Sequence, residues 1–389
     1  MKRLGMLMEP EPGNAMEVEG VLNPAGVRGP DGHFYIFPRL VAKGNFSRIG
    51  IARVNFNDAG DPVGVKRLGI ALEPETNYEL HPDGTGGCED PRITYGEDIK
   101  RYMMTYTAFS PDGPRIALAI SDDLFHWQRM GLATFNSYEG LVFDGVDNKD
   151  ASIFPVAIRD PEGNPAMALL HRPLFPGTRP EETVLSKTPR IVYSYRESIW
   201  ISFCPLGDAC EPYHLCHFTL HKRMASPVEA WEALKIGGGT PPVMTRHGWM
   251  IVYHGVHELD EPSTVAHKLC YSAGVMILAE KKPPILYRSP EPILTPELPQ
   301  EKIGTVANVV FPTAIDRRTD LGQPDRYDVY YGMADNRIGV ARLDVPEHLP
   351  PEKPAERAQG IAMSPHYDNS SPETRKSIPL TTTGSSPRA

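Results

Sequence analysis

Short apolar runs separated by turn residues dominate the chain, and they recur in the same order five times. Each repeat opens on a small polar residue, usually followed by proline and an apolar stretch. The openings are Asn23-Pro24, Asp90-Pro91, Asp150 (leading to Phe154-Pro155), Thr240-Pro241-Pro242 and Asn308 (leading to Phe311-Pro312). A second, aromatic-rich strand follows each opening: Phe34 to Arg39, Tyr102 to Phe109, Ala166 to Pro173, Trp249 to Val256 and Tyr327 to Asp335. Asp31-Gly32, Gly163-Asn164 and His247-Gly248 precede three of these, which is hairpin chemistry. In the third strand, RIGIARV (Arg48 to Val54) is nearly repeated by RIGVARL (Arg337 to Leu343), with RIALAIS (Arg115 to Ser121) as the second version. Looser versions lie near Ile199 to Phe203 and Lys268 to Ile277.

Helical periodicity is almost absent. Five repeats of short strands predict an all-β fold, a five-bladed β-propeller whose radial sheets leave only short edges. A solenoid of stacked sheets is the alternative, disfavoured by irregular loop lengths and missing polar caps. In a propeller the repeat openings converge on the central channel. Residues 1–20 fall outside the repeats and predict an N-terminal strap or extra strand, and residues 21–345 the propeller. Residues 346–389 predict a C-terminal extension, with Met363 to Ala389 expected to be disordered because it is rich in Pro, Ser, Thr and Lys.

Composition narrows the setting. A chain of 389 residues can bury a substantial core in one all-β domain. The net charge of -9 gives no reason to expect a nucleic-acid partner, so any bound anion must be held by local positive charge. The five cysteines lack a CxxC pair, and Cys204, Cys210 and Cys216 fit no common zinc spacing, so no metal is expected. Lys2 and Arg3 are followed by Glu9, Pro10, Glu11 and Pro12 before any apolar signal core. No segment approaches the roughly 20 apolar residues of a membrane span. These features predict a cytoplasmic protein without a membrane partner, compatible with a homo-oligomer.

Candidate chemistry sits at the repeat openings. Asp90 lies in GGCEDPRIT (Gly86 to Thr94), where glycines allow close backbone approach and Arg92 is placed to pair with a carboxylate. Capping of the turn before Pro91 is an equally good reading of Asp90. Lys149 precedes Asp150, Arg172 ends the strand ALLHR, His254 lies in IVYHG and Lys235 opens KIGGGTPP. Cations gathered at the axial ends of separate strands repel unless an anion joins them. Phosphate suits such a set, with arginine as a fork and lysine as a point charge. The plainer readings are scattered surface charge, or pairing with Asp150 and Glu89. KIGGGTPP lacks the GK[ST] ending of a nucleotide loop, and neither GxSxG nor HExxH occurs.

The motifs EDPRIT, NKDASIFP with LLHRP, KIGGGTPPVMTRHGWMIVYHGV, PEPILTPE, NVVFP and YYGMAD resemble the mannoside phosphorylases of glycoside hydrolase family 130. They come in the same order across residues 20–345. The resemblance implies a five-bladed propeller and an inverting phosphorolysis of β-mannosides to α-D-mannose 1-phosphate. Inorganic phosphate would be the co-substrate, with no other cofactor. It implies that Asp90 is the general acid, protonating the leaving oxygen through the sugar's 3-hydroxyl. Lys149, Arg172, Lys235, His254 and Tyr271 fall where the family binds phosphate, and Lys149 stands where some members carry arginine. Asn23, Arg39, Phe311 and Asp335 fall where it holds the sugar beside the cleaved bond, and Arg92 and Asp150 join the expected substrate-facing set. The implied substrates are β-1,4-linked mannosyl-glucose, mannosyl-N-acetylglucosamine or mannooligosaccharides. Pro176 to Pro189 and Cys204 to Leu220 lack a clear family counterpart, and loops of this kind shape the acceptor side. Two rivals stand beside this reading. One is an inverting β-mannosidase of the same fold, which would need two carboxyl groups about 6.5–9.5 Å apart. The other is a non-catalytic glycan-binding propeller, which would not need Asp90.

Overall fold

Most inner strands are apolar on both faces, because each is packed between two neighbouring layers. Along the strand Pro165–Leu174, Ala166, Ala168 and Leu170 face a core shared with Trp249, Ile251 and Tyr253. The alternate residues Met167 and Leu169 face a different core with Met103, Ile116 and Leu118. Period-two alternation therefore reads as a continuous apolar run. The computed structural model describes residues 1–138, 140, 142–175, 196–210, 214–259, 268–281 and 284–351.

Strand β1 (Lys2–Met8) precedes a first antiparallel meander of β2 (Gly20–Arg28), β3 (Phe34–Ala42), β4 (Phe46–Phe56) and β5 (Pro62–Leu72). The second meander is β6 (Gly86–Gly96), β7 (Arg101–Ser110), β8 (Gly113–Ser121) and β9 (Gln128–Leu132). Two short strands, β10 (Thr134–Phe135) and β12 (Ile158–Arg159), flank the third. Its main strands are β11 (Asp147–Ile153), β13 (Pro165–Leu174), β14 (Ile199–Pro205) and β15 (His217–Ala225). In the fourth, β16 (Lys235–Gly237) and β17 (Val243–Thr245) both pair with β18 (Gly248–Glu258), followed by β19 (Leu269–Leu278) and β20 (Ile285–Arg288). The fifth has β21 (Val310–Arg317), β22 (Arg326–Met333) and β23 (Arg337–Asp344), and β1 supplies its outer strand against β23.

The fold is all-β. Helices are confined, among the described residues, to single turns such as Leu206–Ala209 and Pro299–Lys302. Hydrogen bonding joins the strands into four sheets, where the repeat count predicts five. The first two meanders merge because β4 and β6 meet in a two-residue parallel bridge, Phe46 with Gly86 and Ser47 with Gly87. Packing still distinguishes five meanders. One apolar core lies between first and second, one between second and third, one between third and fourth, and one between fourth and fifth. A further core joins Val21, Phe34 and Ile36 of the first to Ala314, Tyr330, Ile338 and Val340 of the fifth. The expected second and third strands of every repeat are present, and residues 1–20 contribute a true strand. The segment Pro176 to Pro189, residues 211–213 and the tail from 352 onward lie outside the described residues.

A buried ionic cluster reinforces the contact between the fifth and first meanders. Arg318, 1% exposed, donates at 2.5 Å to Asp328 and at 2.5 Å to the Gly60 carbonyl, and pairs with Asp320 at 3.0 Å. Arg28 donates to Asp316 at 2.6 Å, and Arg326 to Asp61 at 2.6 Å. Removing one partner of a buried pair strands the other charge in a low-dielectric setting. Arg318→Leu is therefore expected to lower unfolding free energy by about 3 kcal/mol, measured by urea denaturation. A loss within error of zero would show that the cluster does not hold this contact.

Candidate active site

The innermost strand of each of the first three meanders is interrupted at its opening residue. The pairing slips between Leu22 and Ala25, between Glu89 and Arg92, and between Lys149 and Ser152. At these bulges Asn23, Asp90 and Asp150 take φ values of +42°, +44° and +56°. Asparagine and aspartate tolerate that left-handed region better than other residues with a side chain, which accounts for their recurrence here. A bulge also re-aims the side chain it carries. Asn308 and Asp335 share the conformation, at φ +59° and +48°.

The bulges bring two groups of polar side chains together. In the first, Asn23 Nδ2 donates to Asp90 Oδ1 at 3.0 Å, and Arg39 Nη1 reaches the same oxygen at 3.4 Å. Arg39 is held by Glu89 at 2.7 Å, by Asn45 at 3.1 Å and by Ser47 at 2.9 Å. Asp90 is thus a half-buried strand residue whose carboxylate serves residues of another meander. Capping of its own turn does not describe it. Asp335 completes this group electrostatically: burial pushes its carboxyl up to about 6, helped by the charge of Asp90 and opposed by Arg39 and Lys149. Burial also raises Glu89, against the pull of Arg39.

The second group centres on Asp150, which accepts from Arg172 Nε at 2.6 Å and lies 3.6 Å from His254 Nε2. Arg172 is paired with Glu197 as well. Burial disfavours the Asp150 charge, yet Arg172 and its neighbours hold the carboxyl well below its usual range. Lys149 is lowered by burial and by Arg172 and Lys235, so three cations share this region. Lys235 Nζ lies 5.6 Å from the Tyr271 ring centre. His254 is fully buried, with Phe311 at 4.4 Å and Tyr271 at 6.1 Å between ring centres. Burial depresses its pKa to about 3, so it is neutral. Neither of its ring nitrogens has a hydrogen-bond partner among the described residues. Arg92 sits between the groups, donating to the Gly239 carbonyl at 2.5 Å and the Asp90 carbonyl at 2.9 Å, 5.8 Å from the Phe311 ring.

All twelve residues expected from the sequence thus fall in or between these two adjoining groups. Two further features bear on the site. The glycines after Lys235 serve close approach: a Cβ on Gly237 would collide with Asp150 and His254, and one on Gly239 with the Val252 carbonyl. Arg172 is neutralised by two carboxylates, so the cation set is less exposed to mutual repulsion than a bare count suggests. Glu197 carries no sequence signal, because it lies just before β14, outside the repeated motifs. Glu89 was visible only as a neighbour of Asp90.

The sequence profile of glycoside hydrolase family 130, described as beta-1,4-mannooligosaccharide phosphorylase, matches residues 8–350. The chain belongs to this family of mannoside phosphorylases. A 1,2-beta-oligomannan phosphorylase from Thermoanaerobacter sp. (strain X514) is 31% identical over 355 residues, covering 89% of this chain and 97% of its own length. A beta-1,4-mannooligosaccharide phosphorylase from Ruminococcus albus is 37% identical over 254 residues, 65% of this chain and 61% of its own. Among solved structures, the beta-1,2-mannobiose phosphorylase of Listeria innocua superposes with a TM-score of 0.61 at 22% identity. That match covers 88% of this chain and 94% of the other, and it shows a shared fold. The protein is a phosphorylase acting on β-mannosides. None of its described helices is long and apolar enough to cross a membrane.

The elevated Asp335 carboxyl gives a titration test. Its folded value lies above the ordinary 3.8. The stabilisation it gives is fully present below about pH 4 and is lost as pH rises through about 6. Because Asp90's charge is part of the cause, Asp90→Asn should move the Asp335 midpoint to lower pH, read by ¹³C NMR of the side-chain carboxyl. An unchanged midpoint would mean that the two carboxylates do not sense each other.

Proposed function

We propose that the enzyme is an inverting β-mannoside phosphorylase that releases α-D-mannose 1-phosphate, with its five meanders closed as a five-bladed propeller. The five apolar cores, each linking consecutive meanders and the last linking fifth to first, support the closed arrangement. In this reading the second polar group binds phosphate through Lys149, Arg172, Lys235, His254 and Tyr271. The first group holds the mannosyl unit through Asn23, Arg39 and Asp335, with Phe311, Arg92 and Asp150 at the junction.

The observation that carries the reading is His254. A neutral, buried imidazole with no hydrogen-bond partner for either nitrogen among the described residues, beside three cations, is suited to donating to an anionic oxygen. In the step proposed, a phosphate oxygen attacks C1 on the face opposite the departing sugar. The C1–O bond breaks, and a proton passes from Asp90 through the 3-hydroxyl to the leaving oxygen. Asp90, a carboxylate at rest, takes that proton beforehand from phosphate entering in its dihydrogen form, and it is a carboxylate again when the products leave. Phosphate is already an anionic nucleophile, so no second carboxylate is needed to activate water. In-line displacement from a β-linkage gives the α-anomer.

For the bond cleaved, a β-1,4 linkage is supported by the family description and by the Ruminococcus relative. A β-1,2 linkage is the second reading, supported by the Thermoanaerobacter relative that spans nearly the whole chain. Incubation with β-1,4- and β-1,2-mannosides, with and without phosphate, separates these readings. Phosphorus NMR should show α-mannose 1-phosphate. Mannose release at equal rate in phosphate-free buffer would make the protein a hydrolase.

Two substitutions test the roles. Asp90→Asn should reduce turnover of an unactivated mannoside by about 10²–10⁴-fold while leaving the protein folded by circular dichroism, and near-normal turnover would remove the assignment. Lys235→Ala should raise the phosphate KM on the order of 10- to 100-fold, the scale of a lost charge-assisted bond, with little change in the mannoside KM. Equal rises in both would place Lys235 elsewhere.

A further inference from the structure

A second set of buried polar groups lies behind the cation set and has no part in the chemistry above. Asn148, His171, Ser202 and His221 are each at most 4% exposed and stand on four successive strands of the third meander, β11, β13, β14 and β15. His171 meets Asn148 at 3.0 Å through Nδ1 and Ser202 Oγ at 2.7 Å through Nε2. Ser202 Oγ meets His221 Nδ1 at 2.8 Å, and His221 Nε2 meets the Asn136 carbonyl at 2.8 Å. Phe135 stacks on His171 at 4.8 Å, and Phe143 packs on His221 at 4.5 Å.

The far end of this chain fixes the direction of every bond in it. A carbonyl only accepts, so His221 Nε2 carries the hydrogen. Burial lowers the pKa of His221 and of His171, so both rings are neutral. His221 Nδ1 must then accept, and Ser202 donates to it. The Ser202 oxygen accepts from His171 Nε2, which leaves His171 Nδ1 to accept from Asn148 Nδ2. Along this path each ring nitrogen and the Ser202 hydroxyl has one consistent role.

The two strand neighbours of this chain are the residues proposed to hold phosphate. Asn148 precedes Lys149 and His171 precedes Arg172, and Lys149 is paired directly with Arg172 across β11 and β13. Side chains of adjacent strand residues point to opposite faces, so the neutral chain binds the back of the sheet that carries the cations on its front. The bulge at Asp150 removes regular pairing from the next two positions, between Lys149 and Ser152. We propose that Asn148, His171, Ser202 and His221 are positioning residues, which hold β11 against β13 so that Lys149, Asp150 and Arg172 keep the spacing that binds phosphate. The chain replaces, from behind, the ladder contacts that the bulge removes. This inference rests on the phosphorolytic reading above.

Ser202→Ala removes one hydroxyl at the centre of the chain and little volume. It is expected to raise the phosphate KM at least tenfold, to change the mannoside KM less than twofold, and to remain folded by circular dichroism. Ser202→Thr keeps the hydroxyl and should recover most of the phosphate affinity. In the wild type, ¹⁵N NMR of the imidazoles should show both His171 and His221 neutral with hydrogen on Nε2. An unchanged phosphate KM in Ser202→Ala, an equal rise in both KM values, or an Nδ1-protonated ring would overturn the proposal while the phosphorolytic reading stands. If the wild type itself turns over without phosphate, it is that reading which falls, and this role falls with it.

Discussion

The left-handed bulge in the inner strands is the constraint on which the site depends. Regular pairing would hide alternate side chains of β2, β6 and β11 in the apolar cores on either side. The slip at Asn23, Asp90 and Asp150 breaks that alternation at one point in each strand, where the core gives way to polar contacts. Non-glycine residues in this conformation are strained by a modest amount, which asparagine and aspartate reduce. The same residues that relieve the strain carry the functional oxygens. The fold and the chemistry therefore select one residue type at one position for two separate physical reasons.

The charges around the bulges are matched largely in pairs. Arg39 is claimed by Glu89 and Asp90, and Arg172 by Asp150 and Glu197. Pairing of this kind keeps buried charges affordable in a low-dielectric region. It also orients each guanidinium before any ligand arrives, which lowers the reorganisation that binding requires. His254 is kept uncharged instead, so it adds donor capacity without adding to the repulsion among Lys149, Arg172 and Lys235.

The inner and middle strands were legible in the sequence because both of their faces are buried. FYIFPR, YMMTYTAF and WMIVYHGV are dominated by apolar and aromatic residues at both odd and even positions. The outer strands β5, β9 and β20 were not legible, since one face meets solvent and their residues read as ordinary loop composition. The merging of two meanders into one sheet was also out of reach, because it depends on two backbone contacts between Phe46, Ser47 and the glycines 86 and 87. At the site, Asp90, Lys149 and His254 could be found from their places in repeated motifs. The partners Glu197 and Ser202 could not. A partner is chosen by cross-strand register, and register is a property of the assembled sheet that no local stretch of sequence records.

The pairing of β1 with β23 places residue 2 opposite residue 342. A contact of that sequence separation cannot form before its later partner has been made, so the first strand must wait, unpaired, until synthesis has passed residue 342. Until then the fifth meander lacks its outer edge and the apolar surface around Val21, Phe34 and Ile36 lacks its cover. Premature termination anywhere before β23 leaves that surface open to chaperones and proteases. The architecture thereby distinguishes a polypeptide that has passed β23 from one interrupted before it, without any element dedicated to doing so.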